Sequence, residues 1–168
     1  FNGVNRTLDN DDVATFKSGF AVAKFTNFKT DGSAGHDATF PDADFFLMRA
    51  AEAYLNFAEA DARLNGGETT AEGTAAINAI RKRANASTRK DKGYTLSDIC
   101  DEWSREFYFE GRRRMDLIRF NRFGGNVNYN WQWKGGTHDG QAVDSKYNIY
   151  PIPNTELTAN PNLHNDNY

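Results

Sequence analysis

A chain of 168 residues with a net charge of −3 has room for one domain with its own core, and it lacks the basic footprint of a nucleic-acid partner. Aromatic residues make up 14% of it, a load that needs either a large core or an aromatic-lined surface. Its single cysteine, Cys100, excludes an internal disulfide framework and reads as a buried structural thiol.

Residues 1–43 read as a loop-rich segment with one candidate strand over 20–28. The acidic cluster at Asp9, Asp11 and Asp12 lacks the glycine and distant glutamate of a calcium loop, so it reads as solvated. The domain proper is expected over 44–168, beginning with a helix over about 44–64. Leu47, Ala51, Tyr54, Leu55, Ala58 and Ala62 fall on one face of that helix, while Arg49 with Glu52 and Glu59 with Arg63 are spaced for surface pairing. Asp42 and Asp44 just before it read as helix caps rather than calcium ligands. Asn65, Gly66 and Gly67 stop the helix. Thr69 and Glu72 have the spacing of a capping box for a second helix to about Ala84, with Asn85 as a left-handed cap. The short connection makes the pair an antiparallel hairpin.

Thr95 and Asp98 open a third helix that carries Ile99, Trp103 and Phe107 on one face and Glu102, Glu106 and Glu110 on the next. Arg105, Arg112, Arg113, Arg114 and Arg119 stand within reach of these carboxylates or of Asp116. Gly111 ends or bends the helix, which restarts and runs to about Arg122. The fold class is therefore all-α, with two helical hairpins in succession. After residues 123–125 regular structure fades. Residues 147–153 are extended, since each proline drives its predecessor out of the helical region; a short helical turn follows at 155–157, and the polar tail lies on the surface.

Few residues have the pattern of a chemical site. The three glutamates at four-residue spacing could flank a glycosidic bond only as an acid–base pair roughly 5–9.5 Å apart. Arginine neighbours suit ion pairing instead, so no catalytic residue is assigned and the chain is read as a non-enzyme. His36, His138 and His164 lack companions for zinc, and no phosphate-cradling loop is present; neither metal nor cofactor is expected. One stretch stands out as a candidate binding site. Tyr129, Trp131 and Trp133 alternate with amides at Asn130 and Gln132, combining indole faces for sugar C–H groups with hydrogen-bonding groups for hydroxyls. Lys134 and His138 are candidate rim contacts. The competing use of these tryptophans is to fill a gap between packed elements.

Four blocks, in order, carry a family resemblance. They are Arg49-x-Ala-Glu-x-Tyr-Leu-Asn-x-Ala-Glu-Ala60, then Asn78-Ala-Ile-Arg-Lys-Arg-Ala84, then Glu102-x-x-Arg-Glu-Phe-x-Phe-Glu-Gly-x-Arg-x-x-Asp-Leu-x-Arg119, and Tyr150-Pro-Ile-Pro-x-x-Glu-Leu-x-x-Asn-Pro161. Together they resemble the C-terminal portion of the SusD/RagB family. Glu102, Arg105, Glu106, Glu110, Gly111, Arg112, Asp116 and Arg119 carry its signature, with Asn85 and Trp103 departing from the usual residues. The resemblance implies a tetratricopeptide-like α-α superhelix with long irregular loops. It implies oligosaccharide binding and delivery to a SusC-like TonB-dependent transporter in a polysaccharide-utilisation system. It also implies an outer-membrane lipoprotein on the extracellular face, anchored through an N-terminal half that is missing from this chain. A peptide-binding RagB-like lipoprotein is the alternative, then a purely structural or transporter-docking portion; a glycan hydrolase fragment comes last. The start at Phe1 without Met or signal peptide fits a processed or truncated piece.

Overall fold

The computed structural model describes residues 19–168 except Ala21, Ala23 and Asn167; the acidic cluster at Asp9, Asp11 and Asp12 lies outside the described residues. The chain divides into two compact units, residues 1–47 and 48–168. In the first, the candidate strand over 20–28 reduces to one antiparallel bridge between Phe28 and Ala34, and no strand forms among the described residues. The Asn27 side chain ties this loop together, donating to the Asp37 carbonyl and accepting from the Asp42 amide. Phe25 and Phe45 stack within the same unit.

The second unit holds α1 (Ala50–Leu64), α2 (Ala71–Arg83), α3 (Leu96–Glu106), α4 (Arg113–Arg119) and α5 (Asn154–Ala159). Helix α1 packs against α2 and α3, and α3 against α4. The core is built from Leu55, Ala58 and Ala62 of α1, Ile77 and Ile80 of α2, and Ile99, Trp103 and Phe107. These are the positions that three- and four-residue spacing places on facing stripes, and the alanines allow close helix approach. Cys100 is buried.

Three boundaries differ from the sequence expectation. Helix α1 begins at Ala50, not near 44: Arg49 is extended (φ −153°) and takes the N-cap position. Asp42 accepts instead from the His36 amide, so neither it nor Asp44 caps the helix, and Leu47 is 88% exposed rather than part of the apolar face. The capping box at Thr69 and Glu72 does not form. The Thr69 hydroxyl accepts from the Tyr94 amide and pairs with Thr74, while Asp61 of α1 takes the amide and hydroxyl of Thr70, the N-cap of α2. The break at Gly111 is wider than one residue. Helix α3 is capped at Phe107, and Phe109 (φ 60°) and Gly111 (φ 76°) are both left-handed before α4 starts. The expected caps at Thr95–Asp98 and at Asn85 do form, the first as a complete capping box and the second with φ 53°.

Candidate functional site

The signature residues form an ion-pair lattice that joins the helices. Arg49 binds Glu106 and, through both Nε and Nη2, Glu110. Arg81 and Arg105 meet on Glu102, and Arg83 reaches Glu106 at 2.7 Å. Arg112 joins Glu52 to Asp116 while its guanidinium lies 4.0 Å from the Trp103 ring centroid. Most partners come from different helices, whereas spacing had suggested pairs along one helix, such as Arg49 with Glu52. At the centre Glu59 accepts from Arg63, Arg119 and the Trp103 indole. Burial pushes the Glu59 carboxyl up, but hydrogen bonds from Arg119 and Arg63 outweigh it and hold the group below its ordinary value. The lattice sets helix register, and each of its carboxylates faces guanidinium.

Past α4 the chain leaves regular structure and builds an open cleft of about 760 Å³ lined by Trp131, Trp133, Arg114, Tyr147, Tyr150 and Tyr168 among others. Two 3-10 turns, Lys134–Gly136 and Ser145–Asn148, frame it. Trp131 is 38% exposed, backed by Phe123 at a centroid distance of 6.3 Å and flanked edge-on by Tyr129. Such partially exposed, supported indoles suit stacking on an apolar ligand face. Opposite them, Arg114 lies 3.9 Å from the Tyr150 ring centroid, and the Tyr168 hydroxyl donates to backbone carbonyls of Lys146 or Ile149.

A tight turn fixes the tryptophans. Trp133 adopts φ 69°, an uncommon conformation for a bulky residue, and its amide donates to the His138 carbonyl. Gly140 passes so close that a Cβ there would sit 2.1 Å from the Trp131 carbonyl oxygen. Lys134 is buried, not on the rim. Its Nζ donates to the Tyr129 carbonyl at 2.7 Å and lies 4.9 Å from the Trp131 ring centroid, and desolvation lowers its pKa.

The aromatic members of the sequence-predicted set thus come together, with Trp131 and Trp133 in the cleft and Tyr129 in an adjoining cavity beside Trp131. The amides do not line the cleft. Asn130 donates back to the Val127 carbonyl, and Gln132 pairs with His138. Sequence reasoning missed Arg114, Tyr147, Tyr150 and Tyr168. The only available signal was the recurrence of tyrosine around the extended, proline-bearing segment. No cluster of three potential metal ligands occurs among the described residues.

Paired α-helices joined through an ion-pair lattice, with aromatic clefts carried on the loops that follow, define an all-α helical-hairpin scaffold. The sequence profile of the SusD family matches residues 4–168, and the chain belongs to that family. It is 46% identical over 161 residues to the starch-binding protein SusD of Bacteroides thetaiotaomicron, covering 96% of this chain and 28% of that protein. The chain therefore spans a little over a quarter of the curated relative it matches. Among solved structures, a SusD superfamily protein from Parabacteroides distasonis superposes with a TM-score of 0.57 at 24% identity, covering 74% of this chain and 27% of the other. A protein designated BT4246 gives 0.55 at 28% identity, covering 80% and 25%.

Proposed function

We propose that the chain is part of a glycan-binding protein that captures an oligosaccharide and passes it to a TonB-dependent outer-membrane transporter. The observation that carries this reading is the aromatic cleft around Trp131 in a chain so similar to a protein named for binding starch. Trp131 and Trp133 act as stacking surfaces. Arg114 and Gln141, which line the same cleft, are the polar contacts to hydroxyls in place of Asn130 and Gln132. No bond is made or broken: capture rests on stacking, hydrogen bonds and shape. The family relation supports a lipid-anchored protein on the outer face of the outer membrane, with a SusC-like channel as partner and the N-terminal portion of the same protein completing the molecule. The organisation into a loop-rich segment followed by a C-terminal helical domain belongs to the same reading.

The test is calorimetric titration of the whole protein with maltoheptaose, beside Trp131→Ala and Trp133→Ala variants. The expected result is saturable binding that weakens roughly tenfold or more in each variant, about the worth of one stacked aromatic. Undiminished binding in both variants would move the site elsewhere and leave this chain as scaffold.

A further inference from the structure

The arginines fall into two sets. Among the described residues, every arginine except Arg113 and Arg114 has a carboxylate within 4.0 Å. Both exceptions stand beside the Trp131 cleft. Arg114 lines it, and Arg113 donates to the hydroxyl of Tyr129, which flanks Trp131 edge-on. Lys134, buried against the Trp131 ring, also has no carboxylate partner among the described residues; its ammonium donates to the Tyr129 carbonyl. A cation taken out of water is costly unless an opposite charge meets it. Arg114 is fixed as well as unpaired. Its hydrogen bonds leave from Nη2, to the carbonyls of Tyr147 and Ile149, and its guanidinium lies 3.9 Å from the Tyr150 ring centroid and 5.2 Å from that of Phe123. Nε and Nη1 have no acceptor among the described residues, although the group borders an open cleft. The acids nearby are solvent-exposed and engaged: Asp144, at the cleft wall, accepts from the Lys146 amide, and Asp139 pairs with His138. Lys146, whose ammonium lies 5.3 Å from the Tyr147 ring centroid, offsets Asp144.

We infer that the Trp131 cleft takes an acidic oligosaccharide, with a sugar carboxylate held against Arg114 and a ring of the same chain stacked on Trp131. The inference rests on the glycan reading of this cleft and adds the ligand's charge to it. Sugar hydroxyls both donate and accept, and side chains that do the same serve them well. Guanidinium and ammonium only donate, whereas a carboxylate only accepts, so a uronic acid is the complement of what Arg114 and Lys134 present. The bond to Arg114 is charge-assisted, the stronger kind. Lys134 sits against the indole and acts through space, across a layer of low dielectric that screens its charge less than water does. Burial lowers the Lys134 pKa, the direction that an ammonium without a counter-charge must take; an anion in the cleft supplies that counter-charge.

The test is calorimetric titration of the whole protein with tetragalacturonic acid, its methyl ester and maltoheptaose. The ester keeps the sugar chain and removes the charge, so the pair isolates the carboxylate. The acid should bind roughly tenfold more tightly than the ester, the worth of one charge-assisted hydrogen bond, and the gap should narrow as NaCl rises from about 0.05 to about 0.5 M. Arg114→Gln should abolish the gap, and Lys134→Met, which keeps the buried stem without its charge, should narrow it. The wild-type comparison stands whether or not either variant folds. Equal binding of acid and ester by the wild type overturns the inference, as does a gap undiminished in both variants; where maltoheptaose still binds, the glycan reading survives that result. Binding of none of the three sugars removes the glycan reading and this inference with it.

Discussion

Replacing Glu59 with glutamine tests whether the lattice is held from its centre. Glu59 accepts from Arg119 Nε at 2.8 Å and Nη2 at 3.0 Å, from Arg63 at 2.9–3.0 Å and from Trp103 Nε1 at 2.9 Å. Glutamine keeps the shape but presents an NH₂ group to these donors and removes the charge. Breaking one side of a buried pair costs about 3–5 kcal/mol. Arg119 and Arg63 are 36% and 41% exposed, which places the expected loss at the lower end, about 3 kcal/mol. For a domain of this size that corresponds to a fall in Tm of roughly 10 °C. Urea denaturation followed by tryptophan fluorescence reads it directly, since Trp103 is fully buried. Double-mutant cycles sharpen the claim. Coupling of Glu59 to Arg119, which also holds the fully buried Asp116 at 2.9 Å, should be about 2 kcal/mol. Coupling to Arg63, an exposed partner four residues along the same helix, should be about 0.5 kcal/mol. The pH dependence carries a sign. The folded carboxyl is held below its ordinary value, so its contribution is present above about pH 4 and is lost as pH falls through the folded value. The stability gap between wild type and variant should therefore narrow in acid. A loss under about 1 kcal/mol at neutral pH, or equal coupling to both arginines, refutes the reasoning.

Asp98→Asn should keep the N-cap of α3 but lose the charge that binds Arg89 through both carboxylate oxygens. That hydrogen bond is the main reason the Asp98 carboxyl sits well below the usual range; with the side chain 30% exposed, a loss of about 1 kcal/mol is expected in urea denaturation at pH 7, shrinking below about pH 4 by the same linkage sign. No change at pH 7 would count against it. Gly140→Ala forces a Cβ against the Trp131 carbonyl at a left-handed position (φ 75°). A cost of about 1–3 kcal/mol, altered near-UV circular dichroism from the displaced indoles and unchanged far-UV helix signal are the expected results. An unaltered near-UV spectrum would show that this contact does not position Trp131.

The helices were legible because their determinants are local or periodic. Leu55, Ala58 and Ala62, or Ile99, Trp103 and Phe107, announce their shared face by spacing alone, and the Thr95–Asp98 box needs only four residues. The errors arose where a distant group outbid a local one. Thr69 and Glu72 satisfy the capping pattern, yet the Thr69 hydroxyl bonds the amide of Tyr94, twenty-five positions away, and Asp61 takes over at Thr70. Arg49, just ahead of α1, likewise passes over the nearby Glu52 for Glu106 and Glu110. Periodicity ranks neighbours on one helix and is silent about which second helix will arrive.

The candidate binding surface was only half legible for a related reason. Alternation along 126–134 suggests that aromatics and amides act together on one platform. The backbone instead turns at Trp133 (φ 69°) and folds back through Gly140, so the amides serve the turn, Asn130 bonding Val127 and Gln132 bonding His138. What faces the indoles comes from elsewhere: Arg114 from α4, Tyr147 and Tyr150 from the extended segment and Tyr168 from the tail. Each of those residues has a local role that accounts for its presence, such as the Tyr168 hydroxyl donating to backbone carbonyls, so nothing in the linear pattern sets it apart. Segments without a period are positioned by buried polar anchors, here Lys134 donating to Tyr129 beneath the Trp131 ring. In the sequence that lysine looks like one more charged loop residue. A cleft assembled from four separate segments has no signature in any one of them, and its composition follows only once the helical scaffold has fixed where the loops begin and end.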